Sequence, residues 1–191
     1  MPWSKEHKQA TRGRIVENAS SALREKGLTG VGVAELMRAA GLTHGGFYAH
    51  FGSKEALIAD ALEHACDQSR TTLGAAAERA PAGKKLRAVA DTYLTANHMR
   101  HPETGCPTAA LAAEMSRIHG PSRKAYGEHV RSRVEWMESI AEGKAEARRR
   151  AAAGTYAAMV GGLLIARAIG GTEGEKYLAE VRAFLRDSIE R

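Results

Sequence analysis

Between Thr43 and Lys54 the chain carries polar side chains that can form hydrogen bonds, and none of them is acidic. Adjacent glycines at 45 and 46 would also let the backbone approach another molecule closely. Hydroxyl, imidazole and amino groups in such a setting suit contacts with the phosphates and base edges of DNA. The residues that we expect to contact DNA are Thr43, His44, Gly45, Gly46, Tyr48, His50 and Lys54.

A second group with possible chemistry consists of His98, His101 and Cys106. Together they could form a loose metal or thiol site, although spaced histidines of this kind are usually ordinary surface residues. The chain has no phosphate-binding glycine loop, no G-x-S-x-G motif and no H-E-x-x-H motif. We therefore predict no catalytic residues, no metal site and no cofactor.

Cys106 precedes Pro107, a residue that suits the first position of a helix. A thiol at the positive end of a helix has a lowered pKa and reacts more readily as a thiolate. The alternative is an inert, buried thiol, which is how free cysteines usually behave. A reactive Cys106 would make the protein an electrophile or redox sensor.

Local patterns place the first group on two short helices. Val33, Leu36, Met37 and Ala40 have the spacing of one apolar helix face. Gly41 can then end this helix in the left-handed conformation.

Thr43 can cap the next helix, on which Phe47 and Phe51 face inward. Two helices joined by a short glycine-containing turn are typical of a helix-turn-helix, whose second helix enters the DNA major groove. An ordinary helical hairpin is the alternative.

The same stretch resembles the DNA-binding region of the TetR/AcrR family of bacterial transcriptional regulators. The resemblance lies in Gly27, in VAELMRAAGLT, in GGFYAHF at 45–51 and in SKEAL at 53–57. It departs from the family at Val31 or Gly32, where a hydroxyl residue is usual. From the motif, Tyr48, His50 and Lys54 are expected to hold phosphates, and Thr43, His44 and Gly46 to face bases and backbone.

The remaining chain reads as further helices separated by Pro81–Gly83, 101–105, Gly120–Pro121 and 170–172. We predict an all-α fold of about nine helices, with a helix-turn-helix DNA-binding domain at 1–54 and a C-terminal domain at 55–191. A long helix capped by Ser53 joins them. One helix is predicted over Lys84 to about Arg100, and another from about Ala152 to Ile169.

Charge supports this division, because residues 1–54 hold eight Lys or Arg against four acidic residues, whereas residues 55–191 hold twenty against eighteen. Lys5, Lys8, Arg12 and Arg14 crowd the start as a basic arm, either solvated or on DNA. We expect no signal peptide, because the first residues lack an apolar core, and the apolar run 156–170 is too short for a bilayer. We predict a cytoplasmic protein without membrane contact.

Gly161, Gly162 and Ala166 lie in a helix that is apolar nearly all round, which predicts a homodimer. The resemblance implies that the last two helices form a four-helix interface, and that a small molecule in the C-terminal half releases a palindromic operator. An architectural protein without sequence preference is a further alternative. Candidate ligand-binding residues are Tyr93, Met99, Cys106, Met115, Trp136 and Met137.

Overall fold

The computed structural model describes residues 5–189, which fold into helices and loops without any β-strand. Nine α-helices occur in this described range: α1 Lys5–Lys26, α2 Val33–Ala39, α3 Lys54–Arg79, α4 Lys85–Tyr93, α5 Ala96–Arg100, α6 Pro107–Met115, α7 Pro121–Ile140, α8 Ala145–Ile169 and α9 Gly171–Ile189. Two 3-10 helices, His44–Ala49 and Pro102–Thr104, lie between them. The all-α prediction is confirmed.

The first hydrophobic core joins α1, α2, the 3-10 helix His44–Ala49 and the start of α3. Its buried members include Ile15, Leu23, Met37, Phe47 and Leu57. Two residues of α6, Leu111 and Met115, complete it from the C-terminal half. The helices predicted to bind DNA are thus packed against α6 as well as against each other.

The second core lies between α3, α4, α7, α8 and α9. Val89, Tyr93, Met137, Met159 and Leu163 are buried in it. Leu73 contributes from the second half of α3, so this helix belongs to both cores. Such sharing is what the predicted joining helix requires. The boundary at 54/55 stays a prediction.

The single helix predicted over Lys84 to Arg100 is wrong, because the chain breaks at Leu94 and Thr95 between α4 and α5. Thr95 caps α5, since its side chain accepts a hydrogen bond from the backbone N–H of His98 at 3.1 Å. The His98 ring turns back and bonds the carbonyl oxygen of Tyr93 at 2.7 Å. These two contacts stabilise the break, and a 3.6-residue period does not reveal them.

The basic residues expected in an N-terminal arm lie instead on a helix, because α1 already begins at Lys5. Residues 1–4 are outside the described residues. The segment Lys144 to Arg150 contains the cap and first turns of α8, which starts seven residues before the predicted Ala152. Its basic side chains therefore extend from a regular helix.

Helices α8 and α9 pack closely within one chain. A Cβ atom on Gly162 would lie 2.8 Å from Val181 Cγ1, and one on Gly174 would lie 2.3 Å from the carbonyl oxygen of Ala166. Gly161, by contrast, has open space beside it. Of the small residues predicted for the dimer, Gly162 and Ala166 thus serve the contact with α9.

By length and composition α8 could cross a membrane. Its buried residues, however, form part of the second core, where Tyr156, Met159 and Leu163 pack with residues of α7 and α9. Core helices of soluble proteins can have the same length and composition. The hydropathy of α8 is therefore weak evidence for a membrane-spanning helix.

Candidate DNA-binding surface and helical clefts

The turn between α2 and the 3-10 helix His44–Ala49 has the geometry of a Schellman motif. Gly41 adopts a φ of 74°, and its N–H donates to the Arg38 carbonyl at 3.0 Å. The N–H of Leu42 donates to the Met37 carbonyl at 2.8 Å. Because these bonds satisfy the last carbonyls of α2, the chain turns sharply towards Thr43. The predicted role of Gly41 is confirmed.

The predicted second helix of the motif is a 3-10 helix of six residues. Two phenylalanines fix it to the first core. Phe47 and Phe51 are buried, and their rings stack with centroids 5.7 Å apart. Tyr48 points the other way and remains 71% exposed. Thr43 precedes the helix as its cap residue but forms no side-chain capping bond. The two buried phenylalanines thus hold the helix so that its polar side faces solvent.

The protein's own packing does not require glycine at positions 45 and 46. Neither residue has a positive φ. A Cβ on Gly45 would meet nothing within 4 Å, and one on Gly46 would lie 3.6 Å from Met37 Cε, an ordinary contact. Since glycine weakens a helix by roughly 1 kcal/mol relative to alanine, its presence here favours close approach by another molecule.

Two basic residues, Lys54 and Arg12, lie next to the segment that contains this face. Lys54 is exposed at the first position of α3, where the Ser53 hydroxyl accepts the N–H of Ala56 at 3.1 Å. Arg12 of α1 lies with its guanidinium carbon 4.9 Å from the centroid of the Phe51 ring and pairs with Asp60. Cationic groups and a helix N-terminus in one region favour a bound phosphate.

His50, predicted to hold a phosphate, is half-buried beside these cations. Burial lowers its pKa, and the positive charges of Lys8 and Arg12 lower it further. Its Nδ1 atom is buried and has no hydrogen-bond partner within the described range. A neutral imidazole is therefore expected at this position at neutral pH.

The structure brings the predicted DNA-binding residues together at one end of the molecule. Thr43, Gly45, Tyr48 and Lys54 are exposed, whereas Gly46 and His50 are half-buried. His44 begins the 3-10 helix, but its side chain lies outside the described part of the structure. Its role in base readout stays a prediction.

A cleft of about 700 Å³, here called the interdomain cleft, is lined by residues of α1, α3, α4 and α5 and of the loop before α6. Tyr93 and Cys106, two of the predicted ligand-binding residues, line it. The Tyr93 hydroxyl is buried beside the Cys106 side chain. Burial raises its pKa well above the usual value, so the phenol stays protonated.

Cys106 occupies the N-cap position of α6, as predicted, without a side-chain capping bond, and is 5% exposed. Its backbone N–H donates to His98 Nε2 at 2.9 Å, which requires an unprotonated Nε2 and leaves Nδ1–H to bond the Tyr93 carbonyl. Burial lowers the pKa of His98 to about 4, in agreement with a neutral ring. His101 turns instead to Glu103, at 3.0 Å. No cluster able to hold a metal ion occurs among the residues described.

A second cleft, the α3–α7 groove of about 540 Å³, contains Trp136. Its lining consists of Arg70, Thr71, Gly74, Ala75, Glu78, His129, Ser132, Arg133 and Trp136. Met99 and Met137 belong to the second core, and Met115 to the first. The six predicted ligand-binding residues thus occupy different places, and their role stays a prediction.

Sequence reasoning missed two buried contacts between the halves. Arg24 of α1 is 4% exposed and donates to the Gly105 carbonyl and to Gln68 Oε1, both at 2.9 Å. Glu114 of α6 accepts the N–H of Leu28 at 2.8 Å. For Arg24, the only signal in the sequence is its position on the otherwise apolar face of α1. That position does not identify its hydrogen-bond partners.

Comparison with known proteins gives two family matches. The family described as "Bacterial regulatory proteins, tetR family" matches residues 15–61. The family described as "Tetracyclin repressor-like, C-terminal domain" matches residues 82–184. No curated protein matches the chain.

Solved structures share the fold over nearly the whole chain. A TetR-family transcriptional regulator from Cytophaga hutchinsonii is 26% identical, with 100% of this chain and 97% of that chain covered and a TM-score of 0.83. A TetR regulator from Chloroflexus aurantiacus J-10-FL is 24% identical, with 97% of each chain covered and a TM-score of 0.84. AibR, solved with isovaleryl coenzyme A and operator DNA, is 16% identical, with 92% and 97% covered and a TM-score of 0.67.

Proposed function

Because the chain belongs to the TetR family of bacterial transcriptional regulators, we propose that it is a ligand-responsive repressor. In this proposal a homodimer binds a palindromic operator through one helix-turn-helix per subunit. A small molecule in the C-terminal half then favours a spacing of the two DNA-binding heads that no longer fits successive major grooves. The protein would act in the cytoplasm.

The observation that carries the proposal is the outer face of the 3-10 helix His44–Ala49. Phe47 and Phe51 anchor it in the first core. The Tyr48 ring meets Phe47 edge-on but is 71% exposed, and the internal packing does not require the glycine pair. We assign Tyr48, His50 and Lys54 to phosphates, and Thr43, His44 and Gly46 to bases and backbone. Phosphate contacts position the protein, and base contacts select the operator.

Exposed apolar side chains on α8 and α9 support the homodimer. Leu164, Ile165 and Ile169 of α8 are about half exposed, and Phe184 of α9 is 65% exposed. Several large apolar side chains left in water on neighbouring helices are typical of an interaction surface. We propose that the same helices of a second copy cover them.

Helix α6 offers a route from ligand to DNA. The cap residue Cys106 and Ala109 in the first turn lie in the second core, and Leu111 and Met115 lie in the first. Glu114 also holds the loop after α1 through Leu28. A ligand that shifts α6 would therefore move the DNA-binding helices.

A thiol-based repressor is the second candidate, and the position of Cys106 favours it. This residue caps α6 and lines the interdomain cleft beside Tyr93 and His98. Alkylation or oxidation of its sulfur would add bulk at the junction between α6 and the cleft. We propose that such a modification would release DNA in place of a reversible ligand.

The proposal is tested by operator binding with the DNA that flanks the protein's own gene. Lys54→Ala should weaken binding to every sequence and reduce the slope of log affinity against log salt by about one per subunit, because one phosphate contact is lost. Fluorescence anisotropy at several salt concentrations measures both quantities.

Lys124→Ala is the matched control, since Lys124 is exposed on α7, outside the proposed DNA-contacting residues and the proposed dimer helices. It should leave affinity and slope unchanged. A slope that Lys54→Ala does not alter contradicts the phosphate contact. Equal affinity of the wild-type protein for operator and random DNA would instead indicate an architectural DNA-binding protein.

A further inference from the structure

Arg133 of α7 is a buried cation with almost no partner. Its side chain is 4% exposed, and its Nη2 donates one long hydrogen bond, 3.5 Å, to Ser69 Oγ. The guanidinium carbon lies 5.4 Å from the centroid of the Trp136 ring. A guanidinium has five N–H donors, so most of its hydrogen-bonding capacity is unused by the residues described.

Arg24 shows what a satisfied buried arginine looks like in the same protein. It is equally buried, yet it donates to the carbonyl oxygens of Ser20 and Gly105 and to Gln68 Oε1. Arg133 has one such bond where Arg24 has three. Burying a charge is costly unless hydrogen bonds or an opposite charge compensate it, so Arg133 lacks what Arg24 has.

The groups around Arg133 do not provide a negative charge. Burial raises the pKa of the Cys66 thiol to about 12 and that of the Tyr156 phenol even higher, so both are neutral. Burial, together with Arg133 and Arg70, lowers the pKa of His129 to about 4, so this ring is neutral as well. Asp67 pairs with Arg70 at 3.0 Å.

The α3–α7 groove gives an outside molecule access to this cation. Its volume, about 540 Å³, lies within the range of small-molecule sites. Arg70 and Arg133 line one part, and Glu78, the only acidic lining residue among those described, lies eight residues from Arg70 along α3, or roughly 12 Å. Because Asp67 pairs with Arg70, Arg133 is the cation that makes this part of the groove positive. Gly74, Ala75 and the Trp136 ring leave space for an apolar body.

We propose that this groove binds an organic carboxylate, and that Arg133 anchors the carboxylate group. The planar fork of a guanidinium matches the two oxygens of a carboxylate in a bidentate pair. The apolar part of the ligand then lies along Trp136, Gly74 and Ala75, and Thr71 and Ser132 supply further hydrogen bonds. This inference names the effector class of the proposed repressor and rests on that function only for the release of DNA.

Thermal unfolding and calorimetry test the anchor with defined probes, sodium benzoate and its neutral analogue benzamide, at constant ionic strength. Benzoate should raise the melting temperature of the wild-type protein, and benzamide should not. Arg133→Met, which keeps the apolar stem, should abolish the benzoate response. Arg133→Lys, which keeps the charge but not the fork, should bind benzoate about tenfold more weakly.

Arg131→Met is the control, because Arg131 is exposed on the same helix; it should respond as the wild type does. Circular dichroism checks that each variant is folded. An equal response to benzoate in wild type and Arg133→Met overturns the proposal, as does an equal response to benzamide or no response in the wild type. Stabilisation by inorganic phosphate in preference to benzoate overturns the assignment to carboxylates.

Operator binding in the same samples separates the two proposals. If the wild-type protein binds no operator but responds to benzoate through Arg133, the proposed function fails and the carboxylate site stands. If it binds operator but benzoate has no effect on stability, the carboxylate site fails and the proposed function stands. A benzoate-induced loss of operator affinity that Arg133→Met abolishes supports both.

Discussion

Cys66 and Cys106 are two buried thiols in different settings, and their comparison shows how one residue's position governs its chemistry. Both are 5% exposed and free. Cys66 lies within α3, and burial raises its pKa to about 12. Cys106 stands at the start of α6 and lines the interdomain cleft, where a reagent can approach it.

We therefore expect iodoacetamide to modify Cys106 faster than Cys66. At pH 8 a thiol with a pKa near 12 is a thiolate in only about one molecule in ten thousand. Mass spectrometry of timed samples gives the two rates, and anisotropy on the same samples gives operator affinity, with Cys106→Ser as the unreactive control. Equal rates, or full modification of Cys106 with undiminished DNA binding, would contradict the thiol-sensor candidate.

At the scale of single elements, α6 decides how the two halves communicate. It is nine residues long, yet its side chains enter both hydrophobic cores. Glu114 fixes the α1–α2 loop by accepting the N–H of Leu28, a residue 8% exposed. This hydrogen bond links a helix of the C-terminal half directly to the DNA-binding domain.

Removing that acceptor should loosen the DNA-binding domain. Glu114→Ala is expected to lower the free energy of unfolding by about 1–3 kcal/mol, because a buried N–H loses its partner. Urea titration measures this change. Operator affinity should fall, but its salt dependence should stay unchanged, since no phosphate contact is lost.

Glu114→Gln keeps an acceptor oxygen and should lie between the wild type and Glu114→Ala. Glu135→Ala, at an exposed position of α7, serves as the neutral control. Wild-type stability in Glu114→Ala would show that the bond to Leu28 does not hold the loop.

At the scale of the whole molecule, basic groups gather at the helix-turn-helix end, and exposed apolar side chains gather on α8 and α9. Lys8, Arg12 and Lys54 lie around the first surface. Leu164, Ile165 and Phe184 lie on the second. This separation suits a dimer that joins its C-terminal halves and leaves both DNA-binding domains free.

Phe184→Glu should convert the proposed dimer into monomers, because a charge would have to be buried in an apolar interface. Size-exclusion chromatography with light scattering measures the mass. Affinity for a full palindrome should fall towards that for a half-site. The control is Tyr48→Ala, which removes a similarly exposed aromatic ring outside α8 and α9 and should remain dimeric. If Phe184→Glu is still a dimer, the interface lies elsewhere.

Sequence alone was sufficient for the features that depend on neighbouring residues. The Gly41 turn, the Ser53 cap, the inward Phe47 and Phe51, and the start of α6 after Cys106 were all predicted correctly. Each depends on contacts within a few residues or on helical period, and these are visible in the order of residue types.

Only the tertiary structure decided features that depend on distant partners. The break at Thr95 involves His98 folding back on Tyr93, and the bond from Glu114 to Leu28 spans 86 residues. Arg133 lies at helical spacing among apolar residues of α7. Only the packing of α3 beside α7 shows that its guanidinium faces a groove and not a carboxylate. Burial and pairing are properties of the packed chain, so residue order could name these side chains without giving their partners.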